Sequence, residues 1–402
     1  MPVKNFFIVT HFLFSSCILQ AWYSNWAFRE MITFSNAVDN DLTNFPVLLY
    51  ISNHHYLKYC THTNADDIVF SLIDGNTKLS HEIEYFNPNT GQLSAWIKMP
   101  VLDSSEASSN KVYMYYDITQ PGNYEDATNV WKNAYAGVWH LGESIGSAVD
   151  STTNNFSGTF QGTLPESYSG VIVYAQKMDQ SDTDYITLNR MQCLEGGAQL
   201  TVSAWMYLNS TNGSDSAYDS GVFCKGAGGT SILLWYNADG TTDNTYTFNV
   251  GNSGTANNTI YGTGSIARPG EWHYVCGIMN GSARRFFFNG RLNTERNDAT
   301  VTIVPVDTAS ACAGTWSGPG NFLLDGRIDE LRVSSVARSS NWIATEYTNQ
   351  IFPMGFRALG SIECGTRGIK IGGTISGAVS NNVRVIISNT VYYTTNSAAD
   401  GT

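Results

Sequence analysis

The chain is short of basic residues, with 22 Lys and Arg against 34 Asp and Glu and a formal net charge of −12 at pH 7. A surface with this balance repels phosphate backbones, and the sequence shows no basic stripe of the kind that nucleic-acid-binding proteins use. We therefore expect no nucleic acid among its partners.

Long hydrophobic runs are also missing once the first 21 residues are passed, since no later segment approaches the about 18 apolar residues of a membrane-spanning helix. Residues 1–21 carry one Lys, then the apolar run Phe6–Leu19, and end in Leu19-Gln20-Ala21, the layout of a secretory signal peptide. A short hydrophobic strand or membrane anchor, and lipid attachment at Cys17, are the alternatives. We expect a secreted or cell-surface protein with no membrane span in the mature chain.

Cysteine motifs are absent as well. The six cysteines beyond residue 21 are too widely and irregularly spaced for a zinc or redox motif, and they stand at Cys60, Cys193, Cys224, Cys276, Cys312 and Cys364. In an oxidising compartment an even number allows one or two disulfides, with buried free thiols as the alternative. The sequence does not indicate which cysteines would pair.

Aromatic residues, by contrast, are plentiful, with 19 Phe, 22 Tyr and 10 Trp beside 37 Gly. This composition favours strands joined by turns and is too apolar for a disordered chain. The 402 residues exceed the about 250–300 at which one hydrophobic core stops growing. The sequence therefore predicts an all-β protein of several domains.

The first module, residues 22–140, contains short apolar runs separated by turn residues, which are Met31–Phe34, Val47–Ile51, Ile68–Leu72, Leu79–Tyr85, Leu93–Ile97 and Val112–Tyr116. Asp74-Gly75 lies between two of these runs and predicts a tight turn. Apolar and polar residues alternate through Leu79–Tyr85, so one face should pack and the other face water. We predict an antiparallel β-sandwich.

Two groups in this module have the residue types of a functional site. Glu82 and Glu84, beside His81, share one face of a strand and could bind a cation or transfer protons; the alternative is the solvated face of a half-buried strand. A second group could ligate zinc but lacks a second ligand pair at fixed spacing, so a polar loop is the competing interpretation: His54, His55, Cys60 and His62.

The second module, residues 141–357, has a strand with alternating burial around Val202, Ala204 and Met206. Asn289-Gly290 predicts a hairpin, because both residues tolerate positive φ. Ser340–Tyr347 predicts a short helix capped by Ser339 or Ser340. Many short strands with Gly-rich links indicate a two-sheet sandwich.

Sequence strings in both modules are similar to known families. In the first module, Trp26-Ala27-Phe28-Arg29, Asn44-Phe45-Pro46-Val47-Leu48, His81-Glu82-Ile83-Glu84 and Val138-Trp139-His140-Leu141 resemble a domain of unknown function of exported surface proteins, which typically precedes a laminin-G-like domain. In the second, Thr201-Val202-Ser203-Ala204-Trp205-Met206, Glu271-Trp272-His273-Tyr274-Val275 and Gly326-Arg327-Ile328-Asp329-Glu330-Leu331 resemble a laminin-G-like, concanavalin A-like jelly roll.

The tail, residues 358–402, resembles the opening strands of a carboxypeptidase-regulatory-like Ig domain, in Ile369–Ala378 and Val383–Ile387. In that family an aromatic strand follows the Asp-Gly turn, whereas this sequence stops just after Asp400-Gly401. We therefore expect a partial Ig-like domain, either because the sequence is a fragment of a longer protein or because this tail is loosely ordered.

The jelly-roll resemblance implies either sugar hydrolysis or sugar binding, and the fold alone does not decide between them. Retaining glycosidases need two carboxyl groups about 5–5.5 Å apart. Asp329 and Glu330 should point to opposite faces of their strand, and the third acid of the usual hydrolase motif is missing. We therefore predict that the protein is not an enzyme.

In domains of this kind the Asp329-Glu330 pair is mostly architectural, although it can also help to hold a structural calcium ion. Calcium prefers carboxylate, amide and carbonyl oxygens. The loop Asp150–Asn155 supplies such oxygens, so the predicted calcium ligands are Asp150, Asn154 and Asp329. A second acidic stretch is an alternative, or only a solvated turn: Asp179, Asp182 and Asp184.

Carbohydrate binding requires exposed aromatic rings beside polar side chains. Loop segments of the second module supply the candidate ligand-binding residues, which are Tyr218, Trp235, Tyr236, Asn237, Tyr261 and Trp316. We therefore expect an adhesion or binding protein for a glycan or another extracellular matrix or cell-surface ligand. The alternatives are an accessory portion of a larger polysaccharide-degrading enzyme and a purely structural spacer.

Overall fold

A computed structural model of the chain describes residues 23, 26–210, 220–226, 232–237, 244–251, 259–264, 266–297, 302–303, 309–316, 322–365, 383–387 and 390–395. The chain divides into two compact units, residues 1–365 and residues 366–402. No helix in the described part of the chain has the length and hydrophobicity needed to cross a membrane. The predicted signal peptide, residues 1–21, lies outside the described residues.

The first module is a sandwich of two antiparallel sheets. Its elements in chain order are β1 (Phe28–Phe34), β2 (Leu42–Ile51), α1 (His55–Cys60), β3 (Val69–Leu72), β4 (Lys78–Leu79), β5 (His81–Asn87), β6 (Gln92–Leu102), β7 (Lys111–Tyr116) and α2 (Ala127–Val130). One sheet contains β1, β7, β3 and β4, and the other has the order β2-β6-β5. Each of the six apolar runs predicted for this module overlaps a strand, although Ile68 lies just before β3 and the run Leu79–Tyr85 is divided between β4 and β5 at Ser80.

The turn predicted at Asp74-Gly75 joins β3 to β4. The Asp74 carboxylate accepts hydrogen bonds from the backbone amides of Asn76 and Thr77, both at 2.9 Å. Gly75 has a φ of 70°, a left-handed conformation that glycine adopts without steric cost. Local turn chemistry was thus sufficient to predict this connection.

The second module is a jelly roll of two larger sheets. Its strands are β8 (Tyr135–Trp139), β9 (Thr159–Gln161), β10 (Ser167–Ser169), β11 (Tyr174–Met178), β12 (Tyr185–Thr187), β13 (Gln199–Leu208), β14 (Ser220–Lys225), β15 (Ile232–Asn237), β16 (Thr245–Val250), β17 (Thr259–Tyr261), β18 (Trp272–Asn280), β19 (Ala283–Phe288), β20 (Arg291–Asn297), β21 (Ala311–Ala313) and β22 (Gly326–Ser334). One sheet has the order β10-β11-β22-β13-β18-β19-β20, with β8 also paired to β22, and the other has the order β17-β16-β15-β14-β21-β12-β9. The predicted all-β fold is confirmed.

The two jelly-roll sheets enclose one apolar core, to which β13 contributes Val202, Ala204 and Met206. The sheets approach closely at Gly277 of β18, where a Cβ atom would lie 2.2 Å from the ring of Phe248. The predicted hairpin at Asn289-Gly290 joins β19 to β20, with φ values of 48° and 75°.

The other face of the eight-stranded sheet is also buried, because the helix α3 (Ser340–Ile351) and the first module cover it. Trp205 of β13 donates from Nε1 to Gln350 of α3 at 2.5 Å, and the Tyr274 hydroxyl donates to Glu346 at 2.8 Å. The predicted cap of this helix is confirmed, since Ser339 Oγ accepts from the Trp342 amide. The alternation in β13 predicts that only one face of the strand is buried. This prediction is wrong, because both faces are buried.

After α3 the chain returns to the first module as β23 (Arg357–Cys364), which pairs with β1 at the edge of the first sheet. Asn349 of α3 bonds both backbone groups of Leu48 in β2, at 2.7 and 3.0 Å, which holds the helix against that module. The domain boundaries predicted from the sequence assign residues 358–364 to the tail and β8 to the first module. In the structure, β23 extends the first sheet and β8 pairs with the jelly roll.

In the second unit, residues 366–402, the described residues form an antiparallel hairpin of β24 (Val383–Ile387) and β25 (Thr390–Thr395). The predicted partial Ig-like domain at residues 358–402 stays a prediction for this unit.

Candidate ligand-binding site

An open groove of about 890 Å³ lies between the first module and the loop that joins β10 to β11. Its walls come from β2, β5 and β6, from residues 167–174 and from the segment that follows α3. Tyr168 and Tyr174 line this groove and are 46% and 41% exposed. Tyr50 and Tyr85 line it from the first module. Aromatic rings thus face solvent where the two modules meet.

Asp329 of β22 fixes the loop that forms one wall of the groove. Its Oδ2 accepts hydrogen bonds from the backbone amides of Val171 at 2.7 Å and Ile172 at 3.0 Å. The backbone at Gly170 passes so close that a Cβ atom there would lie 2.6 Å from this oxygen. A carboxylate predicted to ligate calcium therefore holds a loop.

The tyrosines are positioned by contacts across the groove wall. The rings of Tyr85 and Tyr174 meet edge to face, with centroids 5.5 Å apart. The Tyr50 hydroxyl accepts a hydrogen bond from Gln92 Nε2 at 3.0 Å. Such contacts restrict ring rotation, so the aromatic faces are held ready before a ligand arrives.

A smaller cavity of about 330 Å³ adjoins the groove and shares Tyr85, Val173 and Tyr174 with it. Ionisable side chains from both modules line this cavity, and they are Glu82, Glu84, His140 and Glu143. The groove therefore has an aromatic part and an acidic part.

His140, which follows β8, joins the carboxylates of the two modules. Its Nδ1 lies 2.6 Å from Oε1 of Glu330, and its Nε2 lies 3.3 Å from Oε2 of Glu82. Glu84 Oε2 is 3.8 Å from Nδ1. Burial alone would lower the pKa of His140, but the Glu330 and Glu82 carboxylates outweigh burial and raise that pKa well above 6.5. His140 is therefore an imidazolium at neutral pH.

The three glutamates of this cluster differ in charge. Burial, with a further contribution from the neighbouring Glu330, raises the pKa of Glu84 to about 8. Burial also acts on Glu82 and Glu330, but His140 beside both and Arg332 beside Glu330 lower the pKa of each carboxyl below 4.5. At neutral pH the cluster therefore contains two carboxylates, one carboxylic acid and two cations.

Indole donors occupy the remaining sides of the glutamates. Trp131 Nε1 donates to Glu82 at 2.5 Å, and Trp96 Nε1 donates to Glu84 at 2.7 Å. Ser151 of the second module also donates to Glu82, at 2.6 Å. Buried charges persist when such hydrogen bonds satisfy them, so the cluster is a satisfied network between the modules.

Glu82 and Glu84 correct one expectation from the sequence. Their side chains are only 12% and 9% exposed, so the prediction of a solvated face on this strand is wrong. A register shift between Ile83 and Tyr85 interrupts the strand, and the jelly roll covers the face that carries both acids. The alternation of apolar and polar residues along a strand does not show whether a second module covers its polar face.

Asp329 and Glu330 correct a second expectation, because they do not point to opposite faces. Ile328 and Leu331 both belong to the jelly-roll core, and a bulge lies opposite the residues between them. Glu330 has a φ of 54°, so the regular alternation of the strand is broken there. Both acids consequently turn away from the jelly-roll core.

Of the predicted calcium ligands, Asp150 and Asn154 are joined through the Thr152 hydroxyl in one loop, whereas Asp329 accepts from the amides of Val171 and Ile172. The Asp150 carboxylate accepts from the backbone amides of Val138, Thr152 and Phe156 at 2.7–3.0 Å. Asn154 Nδ2 donates to the carbonyl of Ala136 at 3.0 Å. These bonds give Asp150 and Asn154 an architectural role in their loop.

Two groups of acidic and histidine side chains in the described part of the chain bring ligand atoms within 4.8 Å of one another, and neither includes Asp150 or Asp329: Glu84, His140 and Glu330, and His62, Asp66 and Asp67. His54 caps α1 and pairs with Glu30 at 2.8 Å, whereas His62 pairs with Asp66 at 2.6 Å. His54 and His62 are thus held in separate pairs, and the polar-loop interpretation is wrong for His55 and Cys60, which lie in α1.

Of the predicted ligand-binding residues, Trp235, Tyr236 and Tyr261 lie in the seven-stranded sheet, and none of the candidates that the structure describes lines the groove. Trp235 and Tyr236 of β15 are buried, at 6% and 1% exposure, so an open binding face at these two is wrong. Trp316 is half-buried and stacks on Trp235, whereas Tyr261 is 42% exposed. Tyr218 and the side chain of Asn237 lie outside the described residues.

The groove tyrosines and His140 were not identified as site residues from the sequence. The string Ser167-Tyr168-Ser169-Gly170 does carry a signal, since it places an aromatic residue among turn formers. Tyr50 and Tyr85 carry none, because they reach the groove only through the pairing of both with β6.

Residues 179–344 match the family described as the concanavalin A-like lectin/glucanases superfamily, and residues 64–152 match a domain of unknown function, DUF2341. A search of curated proteins finds no match.

Among solved structures, domain 4 of AbnA, a GH43 extracellular arabinanase from Geobacillus stearothermophilus in complex with arabinotriose, is 18% identical with a TM-score of 0.41, over 52% of this chain and 96% of that domain. The receptor binding domain of botulinum neurotoxin mosaic serotype C/D is 13% identical with a TM-score of 0.42, over 55% and 51%. The binding domain of Paraclostridial Mosquitocidal Protein 1 is 10% identical with a TM-score of 0.44, over 54% and 52%. The chain thus spans about half the length of these two toxin domains.

The two family matches follow one another along the chain in the order that the sequence resemblance predicted. The chain carries a DUF2341 domain followed by a concanavalin A-like, laminin-G-like jelly roll.

Proposed function

We propose that the protein binds carbohydrate in the groove between its two modules and acts as a binding protein, not as an enzyme. The observation that carries this proposal is the set of tyrosines around an open groove, with Tyr168 and Tyr174 strongly exposed. Pyranose rings present apolar C–H faces that pack on aromatic rings, while their hydroxyls need nearby polar groups. Polar side chains at the groove wall include Gln92, Ser167 and Ser169.

The acidic cluster beside the groove supports binding over hydrolysis. A glycosidase needs two carboxyl groups that both reach the scissile bond. Glu330 is 1% exposed and lines neither cavity, and its oxygens already contact His140 and Arg332. Glu82 accepts hydrogen bonds from Trp131 and Ser151. These carboxylates join the modules and are not free to attack or protonate a sugar.

Export to the cell surface or outside the cell, and use in adhesion, belong to the same proposal, with the signal-peptide pattern of residues 1–21 as their support. A role as the accessory portion of a polysaccharide-degrading enzyme would use the same groove. A purely structural spacer would not use it.

The test is a glycan array probed with the full chain, with and without calcium, followed by calorimetry on the best ligand. Tyr174→Ala removes an exposed groove ring and should weaken binding about tenfold, equivalent to about 1.4 kcal/mol. Tyr261→Ala is the matched control, because Tyr261 is exposed to 42% but lies outside the groove.

Three outcomes would contradict the proposal. A blank array under both conditions would leave the spacer role. Loss of binding in Tyr261→Ala with no change in Tyr174→Ala would move the site to the residues first predicted. Release of shorter sugars by the chain alone would show an enzyme.

A further inference from the structure

Arg327, the second residue of β22, lies between two tyrosine rings beside the groove. Its guanidinium carbon is 3.9 Å from the centroid of the Tyr168 ring and 4.4 Å from that of Tyr207. Tyr207 in turn packs against Trp272, with centroids 5.5 Å apart. The row Trp272, Tyr207, Arg327 and Tyr168 therefore ends at a ring that lines the groove.

The strand pairing produces this row. Arg327 is the direct cross-strand partner of Tyr207 in β13 and of Lys177 in β11. Ile328, the next residue, points into the jelly-roll core, so Arg327 points to the opposite face. The position of the guanidinium is thus set by three neighbouring strands.

Arg327 differs from neighbouring cations because it has no acidic partner. Lys177 pairs with Glu166 at 3.0 Å, and Arg332, further along β22, pairs with Glu330. Within the described ranges the Arg327 side chain makes no ion pair or hydrogen bond, and its Nε is buried without an acceptor. In a chain with a net charge of −12, an unpaired arginine beside an open groove requires an explanation.

We propose that the groove takes an acidic sugar whose carboxylate pairs with Arg327; this inference rests on the proposed carbohydrate binding. Both tyrosine rings pack on the guanidinium through cation–π contacts, which leave its N–H donors without a hydrogen-bond acceptor among the described residues. A carboxylate binds such an edge in the plane through two parallel hydrogen bonds. The stacked rings hold the fork in place, which reduces the ordering cost of binding.

A carboxylated pyranose fits both parts of this arrangement. Its ring can pack on the exposed face of Tyr168 while its carboxylate meets Arg327. Neutral sugars lack the second contact. Glu166, on the same hairpin, is already neutralised by Lys177 and therefore repels such a ligand little.

The experiment uses the full chain and compares an oligogalacturonate with its methyl ester, which keeps the sugar ring but removes the charge. We expect the acid to bind at least about tenfold more tightly than the ester, and the difference to shrink at high salt. Arg327→Gln should abolish the difference between the acid and the ester. Arg327→Lys should retain only part of the affinity difference between the acid and the ester, because an ammonium group lacks the planar fork of a guanidinium.

Arg285→Gln is the matched control, since Arg285 is also partly exposed on this sheet but is paired with Glu295 at 2.9 Å. It should leave both affinities unchanged. A sialylated oligosaccharide and a dextran sulfate complete the set. Tighter binding of the sialylated sugar would identify a sialate as the carboxylate source, and tighter binding of oligogalacturonate would identify a uronate.

The outcomes separate this inference from the proposed function. Equal affinity for acid and ester, with both weakened by Tyr174→Ala, would overturn the acidic-sugar inference and leave carbohydrate binding standing. Dextran sulfate bound as tightly as oligogalacturonate, with Arg327→Gln unchanged, would overturn it as a nonspecific charge effect. Binding of no sugar would overturn both.

Discussion

Nε2 of His140 lies 3.3 Å from Oε2 of Glu82, so a histidine of the second module and a carboxylate of the first share one buried network. The two modules are therefore joined by charge as well as by apolar packing. Removing one member of such a network leaves an uncompensated buried charge, which is strongly destabilising. The groove depends on this junction because its walls come from both sides of it.

We first predict that Glu84 makes the stability of the chain fall as pH rises from about 5 to about 8. Its pKa is raised from 4.5 in the unfolded chain to about 8 in the folded one, so the folded state binds one more proton across this window. One such proton corresponds to a loss of up to about 1.4 kcal/mol per pH unit. Glu84→Gln imitates the protonated acid and should remove this slope.

The measurement is thermal unfolding of both proteins at several pH values. The melting temperature of Glu84→Gln should rise relative to that of the wild type between pH 5 and pH 8. Above pH 8 the difference should stop growing, because Glu84 is then ionised in both the folded and the unfolded chain. His140 titrates in both proteins, so it contributes to the pH dependence of stability in both. The comparison is therefore made between the two proteins at each pH. A difference that stays constant with pH would show that Glu84 is not protonated in the folded chain.

Our second prediction concerns Gly277, where the two jelly-roll sheets approach. Gly277→Ala would place a methyl group 2.2 Å from the Phe248 ring, so one sheet or that ring must move. Overpacking of this kind costs about 1–3 kcal/mol. Urea unfolding should show the loss as a lower midpoint with an unchanged m-value.

Gly142→Ala serves as the control for this substitution. Its Cβ atom would lie 3.5 Å from Tyr174 Cβ, an ordinary contact, so stability should change little. Equal stability of Gly277→Ala and the wild type would mean that the sheets are further apart than described here.

Structural features that depend on a few neighbouring residues could be predicted from the sequence, whereas features that depend on distant residues could not. The strands of the first module and the turn at Asp74-Gly75 could be predicted, because alternation and turn chemistry act over a few residues. The return of β23 to the edge of β1 could not, since it joins residues more than 300 positions apart. The prediction of the binding-site residues failed for the same reason. Tyr85 and Tyr174 meet only after two modules have docked, and Trp235 was proposed for its loop although its strand buries it.

The third prediction is that calcium does not stabilise the chain through Asp150. Each oxygen of this carboxylate already accepts hydrogen bonds from backbone amides, and N–H dipoles that point at it would oppose a cation. We expect the same melting temperature with calcium and with a chelator. Asp150→Asn should nevertheless destabilise the chain by about 1–3 kcal/mol, because an amide nitrogen cannot accept these bonds. A rise in melting temperature on adding calcium that Asp150→Asn abolishes would restore the metal site first predicted.

The fourth prediction is a disulfide between Cys224 of β14 and Cys312 of β21. They are direct partners in the strand pairing and pack together in one buried cluster. Directly opposite residues of antiparallel strands have Cα atoms about 4.5–5.5 Å apart, within the about 4.4–6.8 Å that a disulfide spans. We expect oxidised glutathione to link them by thiol–disulfide exchange, which releases two molecules of reduced glutathione.

Peptide mapping without reduction should then show the two cysteine peptides joined, with a mass lower by two hydrogen atoms than their sum. The bond should raise the free energy of unfolding by about 2–4 kcal/mol, a gain that reductant or Cys312→Ala removes. Cys193→Ala is the control, because Cys193 is exposed and should leave the gain intact. Alkylation of both Cys224 and Cys312 in the oxidised protein, after unfolding without reduction, would show that the two thiols remain separate. This result would contradict the predicted disulfide.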